Sequence, residues 1–142
     1  MSVHRAKAIW HGNLPEGYGE MNLESNHYGE EYNYSSRFEN GKGSSPEELI
    51  GAAHAGCFSM ALSDLLLKEG YNPTRIETKA KVTLSKVGGG FEISSIHLIT
   101  EGIVPDIHHN KFVEYVNEAK DNCPVSKALQ NNVEITIEAG LL

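Results

Sequence analysis

Sulfur is scarce in this 142-residue chain, which has two cysteines, Cys57 and Cys123, and three methionines. Two cysteines close one disulfide at most, which excludes the stapled scaffold of a small secreted domain. Basic residues are also few: 12 Lys plus Arg stand against 19 Asp plus Glu, for a formal charge of −7. Such a surface repels phosphate backbones and anionic lipid, so neither nucleic acid nor a membrane is an expected partner. The N-terminus, Met1-Ser2-Val3-His4-Arg5, lacks an apolar signal-like core. No stretch reads as the roughly 18 apolar residues that a membrane span needs. A cytoplasmic protein is expected, and in a reducing cytosol two thiols serve as core residues, metal ligands or redox groups.

What is present is globular composition: 39% hydrophobic and 22% charged residues, with 14 glycines and 5 prolines. The length fits one domain over 1–142, with no linker and no repeat. Short β-like pieces at 6–10, 20–24 and 31–38, with tyrosines among glycines, suit an antiparallel meander. Ser45-Pro46-Glu47-Glu48 is a helix start, with Ser45 at the N-cap, Pro46 at N1 and two carboxylates facing the positive end of the dipole. The helix should run to about Glu69 and stop at Gly70. No charge interrupts 49–63, and a helix apolar all round is expected to be buried all round, against a sheet and a partner. Its small residues Gly51, Ala52, Ala53, Ala55 and Gly56 permit close approach of another backbone.

Further on, Thr78, Ala80, Val82 and Leu84 alternate with polar residues, Gly88-Gly89-Gly90 turns the chain, and 91–100 returns. The slip in period between Ile93 and Ile96 predicts a bulge. A helix over 106–120, a break at Asn122-Cys123-Pro124, a short helix to about Leu129 and a last strand through Val133, Ile135 and Ile137 complete the reading. The fold class is α+β.

The two cysteines sit in different settings. Cys57 lies in mid-helix among apolar residues, the place of an inert buried thiol. Pro124 at N1 makes Cys123 an N-cap, with its sulfur facing free backbone N–H groups that stabilise a thiolate, so position alone ranks Cys123 as the more reactive. His54 and Cys57, at i and i+3, have a spacing that zinc can use, but neither CxxC nor HExxH occurs to complete a site. Only His108 and His109 are clustered among seven histidines, and neighbours on a helix point apart. The Gly88 to Gly90 run lacks both the GxGxxG spacing and a following helix, so no nucleotide, metal or other cofactor is expected.

The run from Ser45 through Gly51-Ala52-Ala53-His54-Ala55-Gly56-Cys57-Phe58-Ser59-Met60 to Ser63, with Asn122-Cys123-Pro124-Val125-Ser126 downstream and Tyr34-Ser35-Ser36-Arg37-Phe38-Glu39 upstream, resembles the OsmC/Ohr family of thiol peroxidases. His54 and Val125 lean toward its OsmC branch. The resemblance implies an OsmC-like fold, antiparallel sheets packed around long central helices, in an intertwined homodimer with its active sites at the interface. It also implies Cys57 as the peroxidatic cysteine, Cys123 as the resolving cysteine, and Arg37 and Glu47 as the rest of the site, which reverses the ranking from position alone. A mid-helix thiol has no helix dipole to lower its pKa and needs a cation; Arg37 suits that role if Glu47 holds its guanidinium.

On one straight helix Glu47 and Cys57 stand about 15 Å apart, so they can share a site only across chains, through two antiparallel copies of the helix. The implied chemistry reduces a hydroperoxide to an alcohol through a Cys57 sulfenic acid, which Cys123 converts to a disulfide that an external dithiol reduces. Ile50, Phe58 and Met60 are candidates for an apolar substrate wall favouring organic hydroperoxides. The rival readings are a non-catalytic protein of the same fold that binds a hydrophobic ligand, and a thiol redox sensor that switches through the disulfide.

Overall fold

In the computed structural model, which describes residues 2–23, 25 and 28–142, the tyrosine-rich N-terminal stretch forms a three-stranded antiparallel sheet. Strands β1 (Ala6–His11), β2 (Tyr18–Leu23) and β3 (Tyr28–Tyr32) lie in that order, with Ala6 opposite Leu23 and Gly19 opposite Tyr32. The expected end of β2 at Glu24 falls outside the described residues. The strand expected over 31–38 is instead split. β3 stops at Tyr32, and Asn33 caps a short helix, α1 (Tyr34–Phe38). The Asn33 side chain accepts from the Ser36 N–H at 2.8 Å while Ser36 Oγ accepts from the Asn33 N–H at 2.9 Å. This reciprocal capping box holds the first turn against the β-tendency of its aromatic residues.

Helix α2 (Pro46–Lys68) begins as its sequence dictates, with Ser45 Oγ accepting from the Glu48 N–H at 3.1 Å. It ends where Gly70 takes φ +91°, and the Tyr71 N–H closes the last turn onto the Leu66 carbonyl. The chain divides into two compact units, Met1–Leu49 and Ile50–Leu142.

The second unit carries a sheet in the order β4 (Arg75–Val87), β5 (Gly90–Ile103), β6 (Glu134–Leu141). β4 and β5 form the expected hairpin, and their register shifts at Thr83/Leu84, so that Ser94 bulges between Ile93 and Ile96. To this antiparallel pair the sheet adds a parallel one, because β6 runs parallel to β5, Ile96 opposite Ile135. Between them run α3 (His109–Asn122) and α4 (Pro124–Leu129), the long crossover that a parallel pair requires.

The core of this unit packs Phe58, Leu62 and Leu66 of α2 against Ile96 and Leu98 of β5 and Phe112 and Val116 of α3, all with no exposed surface. Gly51 lets α2 approach β4, because a Cβ there would stand 3.2 Å from a Val82 methyl. Ser59 Oγ and Thr78 Oγ1, 2.7 Å apart, and Thr78 and Thr100, 3.0 Å apart, pair the hydroxyl groups between helix and sheet.

Within a single chain α2 is not buried on every side, which leaves one face for the expected partner. Ala52, Ala53, Gly56 and Met60 form an exposed face, Met60 is 77% accessible, and a Cβ on Gly56 would meet nothing within 4 Å. One expectation for α2 needs correction: the chain does not lack a stretch long and apolar enough for a membrane span. An 18-residue window of α2 reaches a mean hydropathy of 1.4 and passes by length and composition. His54, Phe58, Leu62 and Leu66 of this same helix are nevertheless fully buried, as in the core helix of a globular unit.

Because Leu62 sits at the centre of this packing, Leu62→Ala should lower stability by about 2 to 5 kcal/mol, with a lower urea midpoint and an unchanged denaturant slope. A loss well under 1 kcal/mol would place Leu62 outside a tight core.

Candidate active site

The turn at Cys123-Pro124 builds half of the site. Pro124 has no N–H to continue α3, so α3 closes on the Cys123 N–H, which donates to the Ala119 carbonyl at 2.9 Å, and α4 restarts with Pro124 at its first position. Cys123, extended at φ −66° and ψ 142°, is thus the last cap of one helix and the first cap of the next. Its fully buried Sγ accepts the Ser126 backbone N–H at 3.4 Å and lies 3.1 Å from Ser126 Oγ, to which the thiol donates. The N-cap role expected from the sequence is therefore present as geometry.

Cys57 comes to the same place from α2. It is half-buried, both thiols are free, and Cys123 is near enough to perturb it. Burial pushes the Cys57 thiol above its ordinary range, a hydrogen bond from the Val125 backbone N–H opposes that shift, and neighbouring Cys123 adds to it. Although mid-helix in α2, Cys57 does meet backbone donation, from the first turn of α4.

His54, one helical turn before Cys57, is fully buried, and its Nε2 stands 2.7 Å from Ser126 Oγ. Nδ1 finds no partner among the described residues. Burial pushes the imidazole below its usual range. Nε2 is thus engaged by Ser126. Among the described residues no three His, Cys, Asp or Glu side chains gather as a metal-binding group.

Within the first unit, Arg37 of α1 and Glu47 of α2 form a side-on ion pair. Arg37 Nη2 donates to Glu47 Oε1 at 2.7 Å, and Nε reaches both carboxylate oxygens at 3.1 and 3.3 Å. The Glu47 side chain is 9% exposed and that of Arg37 34%, and the guanidinium also lies over the Phe38 ring, 5.2 Å from its centroid. Such a fork fixes both position and plane of the cation.

Of the three apolar candidates, Ile50 lies on the stripe of α2 two turns before Cys57 and is half-buried, whereas Met60 projects from the exposed face. Phe58 is sealed in the core, so of the three only Ile50 and Met60 are accessible. Sequence reasoning passed over Ser126 and Val125. The signal for them was the pattern Cys-Pro-Val-Ser itself, which places Val125 and Ser126 at the second and third positions of a helix, where free N–H groups face the cap residue.

A family model described as OsmC-like protein matches residues 39–138. The chain belongs to the OsmC family. It is 45% identical over 140 residues to Peroxiredoxin OsmC of Escherichia coli (strain K12), covering 97% of this chain and 96% of that protein. It is also 31% identical over 97 residues to organic hydroperoxide resistance protein OhrB of Bacillus subtilis (strain 168), covering 68% of this chain and 69% of that protein. The crystal structure of the Bacillus subtilis OhrB superposes with a TM-score of 0.77 at 26% identity, covering 97% of this chain and 99% of that one. The OsmC-family fold accounts for the α+β architecture with its two three-stranded sheets.

Because the Glu47 carboxylate is almost fully withdrawn from water against Arg37, Arg37→Met should destabilise the protein by about 1 to 3 kcal/mol, leaving a buried charge without its donors. Glu47→Gln should cost less, since the half-exposed guanidinium is rehydrated. Equal urea midpoints for wild type and Arg37→Met would show that the pair contributes nothing to folding.

Proposed function

We propose that this OsmC-family chain is a cysteine-based peroxidase that reduces organic hydroperoxides, and hydrogen peroxide less efficiently, as part of oxidative or osmotic stress defence in the cytoplasm. The observation that carries the proposal is the pair of free thiols, Cys57 and Cys123, brought close enough to perturb each other at the start of α4. The relatives named for peroxiredoxin activity and for resistance to organic hydroperoxides support the same reading.

In this reaction the Cys57 thiolate attacks the distal oxygen of ROOH, the O–O bond breaks, ROH leaves and Cys57 becomes a sulfenic acid. Cys123 displaces the sulfenic oxygen as water and forms the disulfide. An external dithiol then reduces that disulfide by exchange, through a mixed disulfide. No metal or organic cofactor takes part.

The cation comes from a second copy. Glu47 and Cys57 lie ten residues apart on α2, about 15 Å by helix rise, so the Arg37 and Glu47 pair that serves Cys57 belongs to the partner in a homodimer. The exposed face of Ala52, Ala53, Gly56 and Met60 supports this assembly, because small residues let two such helices approach closely. In the dimer all 142 residues work as one OsmC-like domain per chain. Arg37 lowers the Cys57 pKa and polarises the peroxide, while Ile50 and Met60 receive the alkyl group.

Turnover of tert-butyl hydroperoxide with dithiothreitol tests the assignment. Cys57→Ser should abolish it, while Cys123→Ser should be oxidised once and then stall or overoxidise. Full turnover by Cys57→Ser would refute the role given to that residue. Equal catalytic efficiency toward hydrogen peroxide would remove the organic preference. For the assembly, light scattering should report a dimer for the wild type and a monomer of greatly reduced activity for Met60→Glu. An active wild-type monomer would overturn it.

A further inference from the structure

His54 and Ser126 are explained neither by packing alone nor by the first oxidation. A fully buried histidine normally has both ring nitrogens hydrogen-bonded, yet here one is directed at Ser126 Oγ at 2.7 Å and the other has no partner among the described residues. Ser126 Oγ in turn lies 3.1 Å from the Cys123 thiol, which donates to it. With that bond made, the Ser126 hydroxyl hydrogen is free to point at Nε2, which accepts it in the tautomer that carries the ring hydrogen on Nδ1. The hydrogen bonds then run one way, from Cys123 through Ser126 to His54.

We infer that Ser126 and His54 form a proton relay that activates the resolving cysteine, with His54 as the final proton acceptor acting through Ser126. The inference rests on the peroxidase reading above and concerns its second step only. When Cys57 carries a sulfenic acid, the Cys123 S–H proton passes to Ser126 Oγ as the Ser126 hydroxyl proton passes to His54 Nε2. The electron pair freed on Cys123 Sγ attacks Cys57 Sγ, the S–S bond forms and the Cys57 S–O bond breaks. The departing hydroxide takes up a proton and the imidazolium gives one back to solvent, so one thiol and one sulfenic acid yield one disulfide and one water. Cys123 is oxidised and the sulfenic sulfur reduced, and no further oxidant is needed.

A neutral ring is required for this role, and burial favours neutrality, because the charged form is poorly solvated there. The relay leads to the resolving thiol and not to the peroxidatic one, since Ser126 Oγ bonds Cys123 while Cys57 takes its backbone hydrogen bond from Val125. His54 is thus a positioning residue that touches neither peroxide nor reacting sulfur.

Two variants separate the relay from packing. His54→Gln keeps a side chain able to hydrogen-bond Ser126 but cannot take up a proton. Ser126→Ala removes the bridge, and Ser126→Thr restores its hydroxyl. In the full-length dimer, quenched-flow mixing with tert-butyl hydroperoxide, with dimedone trapping and mass spectrometry, follows sulfenic acid and disulfide separately. Disulfide formation should slow by about tenfold to a hundredfold in His54→Gln and Ser126→Ala, while Cys57 oxidation stays within about twofold of wild type. Ser126→Thr should recover most of the disulfide rate, and repeated peroxide should drive the two slow variants to Cys57 sulfinic acid. Wild-type disulfide formation in His54→Gln, or an equal fall in both steps, would overturn the relay and leave the peroxidase reading standing. Failure of wild-type Cys57 to form any sulfenic acid would instead overturn that reading and the relay with it.

Discussion

Proline's missing N–H is the constraint on which the candidate site depends. α3 can proceed no further than Asn122 because Pro124 follows, so the chain restarts a helix at once, with Cys123 serving as the end of one and the beginning of the other. A helix start leaves N–H groups without intrahelical acceptors, and here two of the first three positions turn theirs toward sulfur: Ser126 toward Cys123 and Val125 toward Cys57. One backbone break therefore brings both thiols to the first turn of α4, although they lie far apart in sequence. The core of Phe112, Val116 and Leu62 fixes where that break falls relative to α2.

The halves of the site differ in how far they were legible in the sequence. The start of α2 at Ser45-Pro46, the bulge near Ser94, and the capping role of Cys123 follow from local chemistry, because each depends on residues within one turn or one pair of strands. α1 was misread as strand since Tyr34 and Phe38 favour β structure, and the capping box between Asn33 and Ser36 outweighs that preference. The parallel pairing of β6 with β5 was invisible for a different reason. Alternation specifies which face of a strand is apolar, not the direction of its neighbour. The contact between Cys57 and α4 likewise depends on tertiary packing, and only the resemblance to a known family pointed to it.

Helix α2 shows how one apolar sequence divides its work. Gly51, His54, Phe58, Leu62 and Leu66 recur at three- and four-residue intervals and form its buried face, which accounts for only part of the apolar surface. The rest, around Ala53, Gly56 and Met60, is neither charged nor covered within the chain. A sequence with no polar stripe is thus the signature of a helix with two sets of neighbours. Under the proposed assembly the second set is another copy of the same helix, and a twofold axis makes that face complementary to itself.

The environment of Cys57 sets a problem that the chain's own backbone does not solve. Desolvation raises its pKa, the Val125 N–H opposes the shift, and the balance still favours the thiol over the thiolate. A peroxidatic sulfur needs the opposite balance, so a full positive charge must be brought up to it. An arginine serves better than a lysine, because its planar fork can be locked by one carboxylate while another N–H edge stays free for substrate. Under the proposed assembly Arg37 of the second copy fills that role, engaged by Glu47 through Nε and Nη2 with the Nη1 edge outside that ion pair. The same reasoning separates the two thiols. In the proposed reaction Cys57 needs a permanent cation because it must be ionised before peroxide arrives. Cys123 need lose its proton only once the sulfenic acid has formed, a task to which a neutral histidine at the end of a hydroxyl bridge is suited.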